Sequence, residues 1–551
     1  MSISANFNNT RPSLLLDFAN SQQLDPRVTF SRSTTAPYYD GKTSALAEQN
    51  LFIQSNTFTN AAWVATSATI ASGVTAPDGT ATAYSMTATA GNATLYQTLT
   101  LTATAYTESI WIQRVTGTGT INLTLDGTTL SPVTITGSWA KYTYTATPSA
   151  GSKTIGIQIV TSGDAINIYG SQIENRSSAT ATNITTTSAL TNYIPQLLTA
   201  PINAPRFDFN PTTGESLGLL IEQSSTNLLT YSQDFSNASW VKNACSITTG
   251  ADIAPDGTQT FQKLVEDATT AIHRIQQNYT TTAVGTTLSV YAKQAERSIV
   301  YFTVTDVSGT TKYAWFNLAT GAVLTVNSGL TGTITSVGNG VYRCSISYTG
   351  FAGTSANYIG VTTADGVVSY TGNGTSGVYI WGAQLEALAF PTSYIPTTSA
   401  QVTRASDNAS MTGTNFSSWY NQGQGTIFTD VSSSLGTSGR SFSIDDGTTA
   451  NQVAIGYDTS RVRVNSVDIG NFYTTTSIVG KRLIAYSINQ QLASNAGASV
   501  SSTNNGSLPT TINTLRIGAS NAVTLLNGSI KKLAFYPQIV TTSQSQALTG
   551  S

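Results

Sequence analysis

The chain has 551 residues, too many for one ordinary hydrophobic core, so three or so domains are expected. Only 9% of its residues are charged and the formal net charge is −2, which excludes the clustered Lys and Arg that nucleic-acid phosphates require. Hydrophobic residues at 40%, with 25 Tyr and 18 Phe, argue against disorder, and no stretch approaches the ~20 apolar residues of a membrane-spanning helix.

In chain order, residues 1–45 come first. They lack a basic region leading into a long apolar run, so they read poorly as a secretory signal, although the composition suits an extracellular protein. Leu14, Leu15, Leu16 and Phe18, flanked by Arg11 and Asp17, predict a short apolar segment that docks onto a larger particle or onto neighbouring subunits. A first β-module is expected over 46–178, where Ile121, Leu123 and Leu125, then Ile155, Ile157 and Ile159, alternate with other residues at the period of a strand. A connector follows at 179–219, with Pro195, Pro201, Pro205 and Pro211. The second module spans 220–396, with Val300, Phe302 and Val304 alternating. A linker at 397–414 leads to a third unit at 415–551, with strand-like runs at 425–431, 482–488 and 514–520. Turns such as Pro77-Asp78-Gly79, Asp126-Gly127 and Gly338-Asn339-Gly340 punctuate these runs, and no helix longer than two turns is expected.

The two modules are copies. Residues 50–64 match 227–241, with Asn50, Phe58 and Trp63 answering Asn227, Phe235 and Trp240 at an offset of 177. Ala76–Thr80 answers Ala254–Thr258, Trp111 answers Tyr291, and the exit Ile168–Glu174 answers Ile380–Glu386 at an offset of 212. Ile184–Ala189 is read against Ile395–Ala400. The growing offset places an insertion between Tyr291 and Gly382 in the second copy, part of it a hairpin at 312–326 turning at Thr320-Gly321. The fold class is therefore all-β, with tandem jelly-roll-like sandwiches followed by a further sandwich.

The segments at 24–40 (LDPRVTFSRSTTAPYYD), 206–229 (RFDFNPTTGESLGLLIEQSSTNLL) and 392–407 (TSYIPTTSAQVTRASD), with the WGAQLE exit, resemble tailed-bacteriophage structural proteins. These are tail-fibre or head-spike-fibre proteins with carbohydrate-binding-module-like domains. The third unit, ending GSIKKLAFYPQIVTTSQSQAL, resembles a concanavalin or laminin-G-type sandwich. The resemblance implies a virion surface protein, assembled in the cytoplasm and exposed on the particle. Its implied partners are other virion proteins, further copies of itself (a trimer), and host-surface glycans. A capsid decoration protein, a polysaccharide depolymerase and a signal-less bacterial adhesin are the alternatives. In the family the first two segments lie close together, so the first module reads as an insertion.

No catalytic residue, metal ligand or cofactor is assigned. His273, the only histidine, stands beside Ile272 and Ile275 and reads as a structural side chain at or just under the surface. Glu174 and Glu386 recur at equivalent places and read as scaffold rather than as a glycosidase pair. Asp445 with Asp446, the other candidate carboxylate pair, reads as an ordinary turn with Gly447. Asp78 and Asp256 read as Asx turns, with structural calcium the rival. Cys245 and Cys344 read as small buried hydrophobes, with a disulfide the alternative. Trp63, Trp240, Trp111 and Tyr291 are expected in the core. Trp419 and Tyr420, outside the repeat and among polar residues, are the candidate glycan contacts.

Overall fold

The computed structural model describes the chain except residues 1–10, 437–438, 458–459, 473–476, 496, 504–506, 510, 521–523 and 551. It is an all-β molecule of antiparallel sandwiches.

In the first module, alternating apolar residues bury one face of each strand, and two five-stranded sheets close over the result. One sheet contains Ile121–Thr124, Gly151–Ile159 and Ala93–Leu101; the other contains Tyr106–Thr116 and Ala165–Glu174. Leu95, Ile112, Ile121, Leu123, Ile157 and Ile166 meet between them with essentially no exposed surface. The second module repeats this plan with two six-stranded sheets.

The insertion is split between two places. Lys141 pairs opposite Trp111, and Arg343 opposite Tyr291, so the offset at this strand is already 202. The added residues before it build Ala322–Val326 and Thr331–Gly338, one extra strand for each sheet. The remainder lies in the loop before Gly377–Glu386, where Tyr370–Thr371 pairs with Thr270–Ala271. The hairpin expected at 312–326 is present, as Thr311–Asn317 paired with Ala322–Val326.

The third unit is not the continuous domain expected at 415–551. Its eight-stranded sheet takes Arg206–Phe209 and Ser216–Ile221 from the connector and Leu14–Asp17 from the N-terminal segment; its seven-stranded sheet takes Thr29–Ser31 and Asn408–Thr412. The strand Gly528–Tyr536 holds it together. One edge pairs with Gln424–Ser434, while the other is shared by Ser216–Ile221 and Leu14–Asp17. We call this unit the base sandwich.

The docking segment is corrected accordingly. Leu14, Leu16 and Phe18 are buried in the core of the base sandwich, and Asp17 pairs with Lys532 at 2.9 Å. Alternation explains the choice of face, since Leu15 points out and is 49% exposed. The first ten residues of that segment lie outside the described residues.

Both modules are therefore insertions into the base sandwich, each on a short two-stranded stalk. Ala36–Tyr38 pairs with Leu198–Ala200, and Ser44–Asn50 with Leu190–Pro195, below the first module. Ser225–Asn227 pairs with Val402–Arg404 below the second. The expected connector and linker each supply one side of these pairs.

Candidate functional site

The motifs that carry the family resemblance converge on one point. Arg32, from the first motif, Arg206 and Glu222, from the second, and Arg404 and Asp407, from the third, form a buried ion cluster at the root of both stalks. Asp407 accepts from Arg32 at 2.9 Å and from Arg206 at 2.5 Å, and Arg206 reaches Glu222 at 2.8 Å. Burial alone would raise the Glu222 carboxyl, but Arg404 and Arg206 beside it bring it down to about 2. The Glu222 amide donates to Asp407, and the Ser393 amide to Glu222, so the carboxylates also order the backbone. Nearby, burial pushes the Asp208 carboxyl up to about 6 against the Tyr39 amide that it accepts. This is joinery, because these charges face each other and the backbone.

The repeated polar residues are joinery too. Asn50 donates to the Ser171 and Asn183 carbonyls, and Asn227 to those of Ala383 and Ile395. Glu174 accepts the amide and hydroxyl of Thr180, as Glu386 does from Thr392. Both glutamates are fully buried, which supports the scaffold reading. These bonds also correct the alignment of the exits by one residue. Ser55 and Ser232 bond Thr185 and Thr397, an offset of 212, so Thr185 answers Thr397 rather than Pro396. A bulge after Tyr169 and Trp381 keeps a glycine at positive φ in both copies, +61° at Gly170 and +63° at Gly382.

Other predicted residues find plain roles. Trp63 and Trp240 are core, each donating its indole N–H to a backbone carbonyl, of Gln54 and Tyr231. Tyr291 is buried, but Trp111 is only half-buried and donates to Thr182 at 2.9 Å, so the expectation of core fails for it. His273 is fully buried rather than near the surface, its ring nitrogens facing the carbonyls of Ala244 and Tyr370. Asp445 takes the Ser443 hydroxyl and Arg516, and Asp446 forms the turn with Thr448. Cys344 is buried and Cys245 half-buried, both free; burial pushes the Cys245 thiol up to about 11. Among the described residues, no group of three or more His, Cys, Asp or Glu could hold a metal ion.

The candidate glycan contacts are corrected. The short helix Gly413–Ser417 turns Phe416 inward, and Trp419 follows three residues later on the same side. Trp419 is 4% exposed, donates to the Asn415 carbonyl at 2.9 Å and lies edge-on to Phe535. Tyr420 is wedged between Phe416 and Phe535, with its phenol raised to about 12 by burial. Trp419 offers no free face, and Tyr420 is half-buried with its ring packed into the aromatic cluster. Their polar sequence neighbours concealed a packed aromatic cluster.

One opening is a cleft of about 390 Å³ between the second module and the stalk strands. Trp381, Tyr394 and Ile395 lie on the module side, and Pro37, Leu197 and Thr199 on the other. Asp256, Gln233 and Arg404 supply the charged and amide groups around it. Its size and mainly apolar wall are those of a small-ligand site. Sequence reasoning missed it because its walls come from distant segments.

No known protein family matches this chain, and no curated protein does. Among solved structures, the LG1-3 region of the laminin α2 chain aligns over 82% of this chain and 96% of its own, at 9% identity and a TM-score of 0.17. A deletion mutant of Bacillus subtilis oxalate decarboxylase OxdC aligns over 58% and 74%, at 10% identity and a TM-score of 0.12. Likeness at that level adds nothing to the fold that the strands themselves define.

Proposed function

We propose that the protein is a structural subunit on the surface of a tailed-phage particle, a tail or head fibre, that reaches host-surface glycans during adsorption and catalyses nothing. The observation that carries this reading is the buried cluster of Arg32, Arg206, Glu222, Arg404 and Asp407. The residues that give the chain its family resemblance serve to hold two β-modules rigidly on a base, as a display scaffold requires. A depolymerase needs two accessible carboxylates, whereas Glu174, Glu386 and Asp445 are buried and bonded within the chain. Other virion proteins and further copies of the chain, in a trimer as the family implies, are the proposed partners.

Cryo-electron microscopy of the particle tests this. A few copies at the tail or on projecting fibres support receptor contact. A copy number matching the capsid lattice replaces the fibre reading with a decoration protein. Absence of the chain from purified particles overturns the proposal.

A further inference from the structure

The duplication is an internal control for the cleft. Asp78 and Asp256 occupy the same Pro-Asp-Gly-Thr turn, and each Oδ1 accepts the amide and hydroxyl of the threonine two residues on, Thr80 or Thr258. In the first module the other oxygen, Oδ2, is also satisfied, accepting the Tyr169 hydroxyl at 3.1 Å. In the second module Trp381 stands in the place of Tyr169, and its indole N–H goes to Thr260 at 3.0 Å instead. Asp256 Oδ2 is left with no protein donor among the described residues, at the edge of the cleft.

A second pair diverges in the same direction. Asn56 is tied on both sides, donating to the Thr82 carbonyl and accepting the Gly170 amide. Its counterpart Gln233 makes no side-chain hydrogen bond among the described residues and lines the same cleft. Two substitutions in one copy have thus left a carboxylate oxygen and an amide unpaired at the rim of one cleft. The bond lost with Tyr169 was to a hydroxyl donor. Arg404, the one cation lining the cleft among the described residues, already serves the Gln223 carbonyl and Glu222. The groups left over, an acceptor oxygen and an amide, call for a ligand rich in hydroxyls, and the free carboxylate disfavours an anionic one.

We infer that this cleft binds an uncharged saccharide, one hydroxyl donating to Asp256 Oδ2 where Tyr169 donates in the first module, and Gln233 bonding a second. The inference rests on the proposed contact with glycans and names its site and ligand class.

The test uses the full chain and a panel of uncharged hexose and N-acetylhexosamine oligosaccharides, with sialylated ones alongside, read by calorimetry. Asp256→Asn keeps the turn-forming oxygen and replaces only the free one. Thr199→Trp fills the mouth from an exposed position. Asp78→Asn is the matched control in the first module. The wild type is expected to bind an uncharged oligosaccharide. Asp256→Asn should weaken that binding by about tenfold or more with unchanged thermal unfolding, Thr199→Trp should abolish it, and Asp78→Asn should leave it intact. Binding that survives both cleft variants overturns this site while leaving glycan contact standing. Preference for the sialylated sugars overturns the ligand class. If the wild type binds nothing in the panel, the site and the glycan contact fall together, and the particle location is decided separately by microscopy.

Discussion

The two modules share one scaffold and differ in what that scaffold leaves open. Asn50 and Asn227, Glu174 and Glu386, and Trp63 and Trp240 make the same bonds in both copies. The differences are few and chemical. The first copy ties Asp78 and Asn56 down, whereas the second releases Asp256 and Gln233 into a cleft. The first copy also buries a glutamate, Glu108, where the second has Leu288. Neither Glu108 oxygen finds a hydrogen-bond partner in its fully buried position. Burial holds its carboxyl well above the usual carboxylate range, against a smaller opposing influence of the Thr124 backbone. Duplication freed one copy to change while the joinery stayed fixed.

The comparison breaks most completely at the shared root. Asp407→Ala leaves Arg32 and Arg206 buried without their common partner, a change that costs about 3–5 kcal/mol. Denaturant unfolding of the full chain should show the base sandwich lost first, with the modules unfolding as separate, later transitions. A single transition shifted only slightly would refute the hub.

A smaller effect sharpens the contrast inside the modules. Glu108→Leu installs the second copy's residue in the first and should stabilise that module by about 1–3 kcal/mol. The sign with pH follows from the raised carboxyl. The folded module holds the proton more tightly than the unfolded chain does. Its contribution is therefore full below the ordinary carboxylate range and is lost as pH rises through the raised value. Hydrogen exchange across residues 106–124 should show the wild-type module loosening from acid to neutral pH, and the variant changing less. Equal pH slopes would dismiss the buried glutamate as the cause.

The smallest effect is Tyr169→Phe, which deletes the hydroxyl that Asp78 accepts and should cost less than about 1 kcal/mol at so exposed a site. Its readout is thermal unfolding of the first module. A larger loss would mean that Asp78 is held by more than this bond.

What the sequence disclosed was local or repeated. Alternation in Ile155–Ile159, the Pro-Asp-Gly turns, the inserted hairpin and the scaffold role of Glu174 and Glu386 all depend on neighbours a few residues away or on the second copy. What it withheld depends on distant partners. Leu14–Asp17 pairs with residues more than 500 positions later, so its apolar run suggested a docking segment for other subunits. The five charges of the hub are scattered over three distant segments, each an ordinary surface charge on paper. Trp419 was misjudged because its sequence neighbours are polar while its spatial neighbours, Phe416 and Phe535, are not. The cleft did leave a trace, in the exchange of Tyr169 for Trp381 within an otherwise matching exit.

The placement of Gly528–Tyr536 inside the eight-stranded sheet, between Gln424–Ser434 and the two early strands, dictates an order of assembly. On the ribosome each module emerges whole and can fold as a unit while its base is still unfinished. The early strand Leu14–Asp17 must wait, its apolar side uncovered, through the synthesis of both modules until its partner arrives. A nonsense mutation between codons 405 and 528 would then release two well-formed modules on a base that cannot close, and such a product should be captured by chaperones rather than incorporated into particles.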